Sequence, residues 1–378
     1  PDKGMVPSAG IKLLKEEYPT HAARVSAWRS DAIKPITGEE FLQLQKICDS
    51  IDKQLEEYYT FQKRLNAQTK NKVDIWGGFK SDEQVGLNLR SYDEKEQLND
   101  QRNRQSAPYY KLKMVMDYWC SLWFWDVRKA EHLPNRQQYI NDIASILDID
   151  LTAQSNRVNE YEHKNQAQIF KEQSLFTQAQ EQIIEKTQKG NLFDNKERLE
   201  EVQNLSTQHR FFHNQLEFIE VFKERGGFDL INGNPPWVKV TFEEAAMMSE
   251  VYPEISVRKE KAPVVAKRRV VYLENEVQKL GYFEEYIGSE STAKFMNAEQ
   301  NYNLLKGQQT DLYRSIIVNT LSLVNRFGFI GLVHPESIYD DPKGLLLRTA
   351  IYPRLRYHFQ FKNELKLFDI HHENIYGL

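Results

Sequence analysis

Only two cysteines, Cys48 and Cys120, stand in 378 residues, and they lie far apart. That spacing supports neither a disulfide framework nor a cysteine-based zinc site, and a reducing cytoplasm is the expected compartment. No apolar run is long enough to span a bilayer, and no signal peptide is present, so no membrane partner is expected. The formal net charge is −4, which gives no global basic signature. A nucleic-acid partner would need a local basic surface, or one on another chain or domain. Walker loop and dinucleotide fingerprint are both missing, which leaves helicase and dehydrogenase readings without support. His209 and His213 lie four apart, but the glutamate and third ligand of a zinc hydrolase site do not accompany them. His371 and His372 fare no better, and no metal is expected. Glu364-Leu365-Lys366 has the Glu-x-Lys form of metal-dependent nucleases, a three-residue match too short to carry that reading.

What is present is an ordinary globular balance, 40% hydrophobic and 28% charged, in a chain long enough for two domains. The first half reads as helical. Thr37 to Glu40 forms a capping box, with Ile36 and Phe41 placed as a hydrophobic staple. Phe41, Leu44, Cys48, Ile51, Leu55 and Tyr58 then recur at helical spacing. Residues near 69–108 are polar and read as a long loop or mobile segment. Lys111 to Trp125 is a second helix whose Leu112, Val115, Met116, Trp119, Cys120 and Trp123 make an aromatic stripe. Bundle core is the better reading of that stripe, and a base-stacking platform the rival. Pro134 suits a helix first turn ahead of Tyr139, Ile140, Ile143, Ile146 and Leu147. Ile169, Phe176 and Ile183 repeat every seven residues in a stretch ending at Gly190. Leu199, Val202 and Leu205 mark one more helix.

Near residue 210 the pattern changes to strands alternating with helices, which implies a parallel sheet. Phe228 to Ile231 and Phe329 to Val333 read as strands, the second led in by Gly328. Residues 311–324 read as a helix that Thr310 or Asp311 can cap. Lys343 to Ala350 reads as helical and Tyr357 to Phe361 as extended. Residues 241–309 are too long for a tight crossover and read as an insertion. The expected organisation is a helical region over 1–205, then an α/β portion over 206–378.

The most informative stretch is Phe228-Asp229-Leu230-Ile231-Asn232-Gly233-Asn234-Pro235-Pro236-Trp237. It is a short apolar strand ending in a stiff corner, because two prolines fix φ twice and remove two backbone donors. Ligands bind at the carboxyl ends of parallel strands, where Asn234 falls. An amino group on an aromatic ring is a poor nucleophile because its lone pair is delocalised. Two acceptors aimed at its hydrogens favour a pyramidal nitrogen, and the Asn234 side-chain oxygen and Pro235 carbonyl can supply them. Trp237 offers a stacking face. A base inside a duplex cannot reach such a corner and must be flipped out. The bland alternative is a strand-ending turn.

This decapeptide resembles the Asn/Asp-Pro-Pro-aromatic motif of amino-directed methyltransferases that use S-adenosylmethionine. Arg210 to Phe222, Gln309-Thr310-Asp311-Leu312-Tyr313-Arg314, Gly328 to Glu336, Asp340-Asp341-Pro342-Lys343-Gly344 through Arg348, and Phe359 to Phe368 extend the resemblance. They are similar to large type IIG-like restriction–modification and phage-defence adenine-N6 methyltransferases. The Tyr118 to Trp125 helix is loosely similar to one in that group. The resemblance implies the catalytic half of a Rossmann-like methyltransferase, preceded by a mostly helical region. Asn234, Pro235, Pro236 and Trp237 would be catalytic, and Trp237 and Lys239 would bind the substrate base. S-adenosylmethionine is the implied cofactor, double-stranded DNA the partner, and further subunits of a defence system are possible partners. Trp in place of the commoner Tyr or Phe alters pocket width.

The glycine-rich cofactor loop of that family has no counterpart here. Trp76-Gly77-Gly78-Phe79 and Gly226-Gly227-Phe228 lack its spacing. The chain starts at Pro1 and stops after strand-like sequence at Leu378, so the loop is expected before Pro1, which leaves open whether the chain as it stands is active. Arg258, Lys259, Lys261, Lys267, Arg268 and Arg269 form a basic cluster diluted by Glu254 and Glu260. It reads equally as a phosphate-contacting surface or a solvated face. Asp229 and Asp311 read as strand-entry and helix-start residues. Two other functions stand beside DNA methylation: amino or amide methylation of RNA or protein, and a non-catalytic interaction module.

Overall fold

The computed structural model describes residues 4–69, 92–104, 107–151, 195–308, 311–362 and 375–377. The chain divides into two compact units. One comprises Pro1–Ile33, Trp119–Glu131 and Phe212–Leu378; the other comprises Lys34–Tyr118 and His132–Phe211.

The second unit is helical throughout its described residues. Its longest helix, Gly38–Thr69, starts with the expected capping box. Thr37 N–H donates to Glu40 at 2.8 Å, and Glu40 N–H donates to the Thr37 hydroxyl at 3.2 Å. The flanking Ile36 and Phe41 are exposed, so the staple contributes little burial. A helix at Tyr92–Arg102 corrects the expectation of a loop there. Its sequence is mostly polar, and an apolar stripe is what periodicity reads. The helix Pro108–Phe124 starts in this unit and runs on into the first; of the aromatic stripe it buries Leu112 and Trp123 and leaves Val115, Met116, Trp119 and Cys120 half-buried, so only part of the stripe is core. The helix Arg136–Ile146 is capped by Asn135 in a box with Gln138, and Pro134 precedes the cap rather than opening the helix. Residues 195–209 form the helix carrying Leu199, Val202 and Leu205. The heptad stretch around Ile169, Phe176 and Ile183 lies outside the described residues, as do Trp76 to Phe79, Glu364 to Lys366, His371 and His372.

A buried charge holds this unit together. Asp142 accepts from Arg198 at 2.9 and 3.1 Å and from the Tyr118 hydroxyl at 2.7 Å. Burial pushes the Tyr118 hydroxyl up, and the Asp142 carboxylate adds to that. Asp142→Ala would strand Arg198 as an unpaired buried cation. The expected cost is about 3–5 kcal/mol, read as a lower urea midpoint; a loss within error would show that the pair contributes nothing net.

The first unit holds the sheet. Strand β1 (Phe228–Gly233) pairs in parallel with β2 (Val324–Leu332). Between them run helices Glu244–Ser249, Glu254–Val257, Ala262–Tyr272 and Glu276–Asn297, which occupy the expected insertion. The helix Leu312–Leu323 feeds directly into β2. Gly328 stands inside β2 rather than before it. A Cβ there would lie 2.6 Å from the Phe228 carbonyl oxygen, so only glycine lets the strands approach. The helix Leu345–Ile351 follows the expected segment. A small antiparallel sheet is ordered β3 (His334–Pro335), β5 (Ile375–Gly377), β4 (Gln360–Lys362); β4 overlaps the segment Tyr357 to Phe361 expected to be extended, and the antiparallel pairing was not expected. The described sheets are small and the molecule mostly helical, so the coarser description is a helical protein with a small parallel pair.

Register Ile231 to Ile330 and Gly233 to Leu332 puts those residues on one face of the pair. Ile330 and Leu332 pack with Leu305, Tyr313, Ile317, Ile338 and Leu347 in the local core. On the opposite face Leu230 and Phe329 are 66% and 61% exposed.

Candidate active site

The corner follows β1 at the carboxyl end of the parallel pair. Asn234 and Pro236 are exposed, Pro235 is buried and Trp237 is half-buried. Prolines 235 and 236 offer carbonyls and no donors. Neighbours on either side therefore bracket the turn. Val333 N–H donates to the Gly233 carbonyl at 3.1 Å, and Leu312 N–H donates to the Val238 carbonyl at 3.0 Å. Lys239, exposed, forms an antiparallel bridge with Asp311. Trp237 packs against the cluster of Tyr313, Ile317 and Leu332, and its indole N–H points to the Val333 carbonyl at 3.4 Å.

Beneath the corner lies a polar hub that the sequence reading did not single out. Arg314 is 4% exposed. It donates to Asp341, to Gln308 at 2.8 Å and to the Tyr313 hydroxyl at 3.0 Å, and its Nε lies 3.5 Å from Asp311. The Tyr313 hydroxyl shares a 2.7 Å hydrogen bond with Ser337. Asp311 stands at the N-cap position of the helix Leu312–Leu323 but makes no side-chain cap bond, which corrects its expected role. Its carboxyl bridges Arg314 instead. The i, i+3 spacing of Asp311 and Arg314 was the available signal.

The basic cluster is compensated in part. Arg268 pairs with Glu260 at 2.8 Å and Glu254 at 2.8 Å, and Arg269 pairs with Glu244 at 3.0 Å. Glu244 also accepts from the Tyr282 hydroxyl at 2.9 Å. Tyr282 and Tyr286 in turn hold Phe242, the latter stacked on it at 4.4 Å. Arg258, Lys259, Lys261 and Lys267 are exposed.

Gly226 and Gly227 form a helix exit. Gly226, at φ 73°, ends the helix Ile219–Arg225, and a Cβ on Gly227 would lie 2.4 Å from the Leu323 carbonyl oxygen. That turn is packed closely against the backbone of Leu323 to Asn325. His209 lies against Phe211, its pKa lowered by burial, and His213 is buried.

Residues 118–264 match the Eco57I restriction-modification methylase family. Searches of curated proteins and of solved structures gave no match. The methylase match covers β1, the whole corner and Arg258, Lys259 and Lys261 of the basic cluster; Lys267, Arg268, Arg269 and the helix Leu312–Leu323 lie beyond it. It supports a methyltransferase of the restriction–modification class, with DNA as the substrate that class implies. Among the described residues no helix is long and apolar enough to cross a membrane.

The two carboxyls of the hub titrate in opposite senses. Burial holds Asp311 above its ordinary 3.8, although Arg314 and Lys239 pull it down. Its stabilising contribution is present below the unfolded value and lost as pH rises through the folded one. The hydrogen bond from Arg314 holds Asp341 below 3.8, so its contribution is present above that value and lost as pH falls through the folded one. In urea unfolding between about pH 2 and 7, Asp311→Asn should gain on the parent as pH rises. The deficit of Asp341→Asn should shrink as pH falls. Differences that stay flat with pH would contradict both assignments.

Proposed function

We propose that this chain carries the base-binding side of an S-adenosylmethionine-dependent DNA adenine-N6 methyltransferase in a restriction–modification or phage-defence system. The observation that carries the reading is the corner itself. An exposed amide, Asn234, stands at the carboxyl end of a parallel strand, followed by a bracketed Pro-Pro turn and a half-buried Trp237. The methylase match over the same residues supports it.

In this reading a flipped adenine stacks on the exposed part of the Trp237 ring. The Asn234 side-chain oxygen and the Pro235 carbonyl accept the two amino hydrogens. Those fixed dipoles localise the nitrogen lone pair and stabilise the positive charge that grows on it during transfer. S-adenosylmethionine, when bound, supplies an electrophilic methyl group. The described residues account for the base side, and none of them is assigned to the cofactor. Lys239, exposed two residues after Trp237, is a candidate contact to the target nucleotide. Arg258, Lys259 and Lys267 are the proposed phosphate contacts, since Arg268 and Arg269 already serve glutamates.

The test is methyl incorporation from labelled cofactor into adenine-containing duplex DNA by the full-length protein. Asn234→Ala should lower transfer by about 10²–10³-fold, the usual loss when one pre-aimed polar group is removed, with DNA affinity retained. Near-normal transfer would sink the role given to Asn234. Trp237→Ala should instead weaken binding of DNA with an extruded base by about 1–3 kcal/mol; unchanged binding would remove the stacking assignment.

A further inference from the structure

Trp237 can serve as a stacking face only if its ring is held still, and two independent routes connect it to one buried cation. The first runs through the backbone. Val238 is held by the Leu312 N–H at 3.0 Å, and Lys239 is bridged to Asp311. Both partners sit within three residues of Arg314, whose Nε lies 3.5 Å from the Asp311 carboxylate. The second route runs through a ring. Arg314 donates to the Tyr313 hydroxyl at 3.0 Å, and Tyr313 belongs to the cluster against which Trp237 packs.

Arg314 also ties three separate segments together. Its guanidinium reaches Gln308 at 2.8 Å, Ser337 at 3.4 Å and the Asp341 carboxylate. Gln308 passes the connection on to the Leu304 carbonyl at 3.1 Å, beside Leu305 of the same cluster. A planar cation with five donors in a fixed fork can serve four acceptors at once; an ammonium on a flexible stem cannot hold them in that geometry. Arg314 is far too buried to touch DNA, so a direct contact with substrate is not its role.

We propose that Arg314 is a positioning residue for the base-binding corner, setting the placement of the Trp237 ring through Tyr313 and through the Asp311–Leu312 backbone, with Asp341 as its counter-charge. The inference rests on the reading of the corner as the site where a base stacks. It adds a residue outside the matched span.

The experiment uses the chain labelled with 5-fluorotryptophan. Six tryptophans give the fluorine signals, and the Trp237 signal is assigned by its loss in Trp237→Phe. Arg314→Gln should shift or broaden the Trp237 signal and leave the remaining tryptophans in place. Affinity for duplex DNA carrying 2-aminopurine opposite a mismatch should fall about tenfold, the scale of one stacking contact. Arg314→Lys should give an intermediate effect. An unmoved Trp237 signal in Arg314→Gln would overturn the proposal, and so would a general shift of all tryptophan signals, which marks loosening of the whole unit. Should Arg314→Gln fail to fold, Asp341→Asn decides on the same outcomes, because it keeps the cation and removes only the carboxylate charge. The fluorine signal does not depend on methyl transfer, so loss of the base-methylation reading and loss of this positioning role are told apart.

Discussion

Two peptide hydrogen bonds bracket the Asn-Pro-Pro-Trp corner, and the candidate site depends on them. Prolines 235 and 236 cannot donate, so the turn cannot close on itself. Val333 extends the parallel ladder one residue past β2 to reach Gly233, and Leu312 takes the Val238 carbonyl on the other side. Both donors belong to the continuous helix-and-strand unit that starts at Leu312 and ends beside His334. A shift of that unit would move both arms of the corner together. The corner therefore inherits its rigidity from packing that lies far away in sequence.

That packing is one-sided. Ile330 and Leu332 anchor the pair through the cluster of Leu305, Tyr313, Ile317, Ile338 and Leu347. Parallel strands are ordinarily buried on both faces, yet Leu230 and Phe329 stand open here. Among the described residues the packing of Trp237 lies on the inner face, while on the other side only Phe228, at the start of β1, meets the rings of Phe218 and Phe222. Arg314 matters more in such an arrangement than it would in a sheet clamped from both sides.

Much of this was legible in the sequence where local chemistry decides. The apolar run before Asn234, the Thr37–Glu40 box and the apolar helix before Val324 all took the expected form. Readings that depend on a distant partner went astray. Asp311 has the side chain and position of an N-cap, but a buried guanidinium outcompetes the helix's own amides. Gly328 reads as a strand-leading turn until the opposite strand's carbonyl, 2.6 Å from a built Cβ, shows that close approach requires it. The polar helix Tyr92–Arg102 carries no apolar stripe to detect. The Arg268 and Arg269 charges read as available for a polyanion, while Glu244, Glu254 and Glu260 compensate them across helices that periodicity cannot place together.

The choice of tryptophan at position 237 follows from the same geometry. A half-buried aromatic ring with a polar edge needs a partner for that edge, and the Val333 carbonyl, one residue past β2, lies 3.4 Å from the Trp237 indole nitrogen. Phenylalanine has no donor to offer it. Tyrosine carries its hydroxyl at the far tip of the ring, whereas an indole donates from the side of its five-membered ring. The Val333 carbonyl thus becomes a third point of attachment for the corner, after the two peptide bonds. Three attachments fix the orientation of a plane, and orientation is what a stacking surface requires beside a pair of acceptors that must meet the same base.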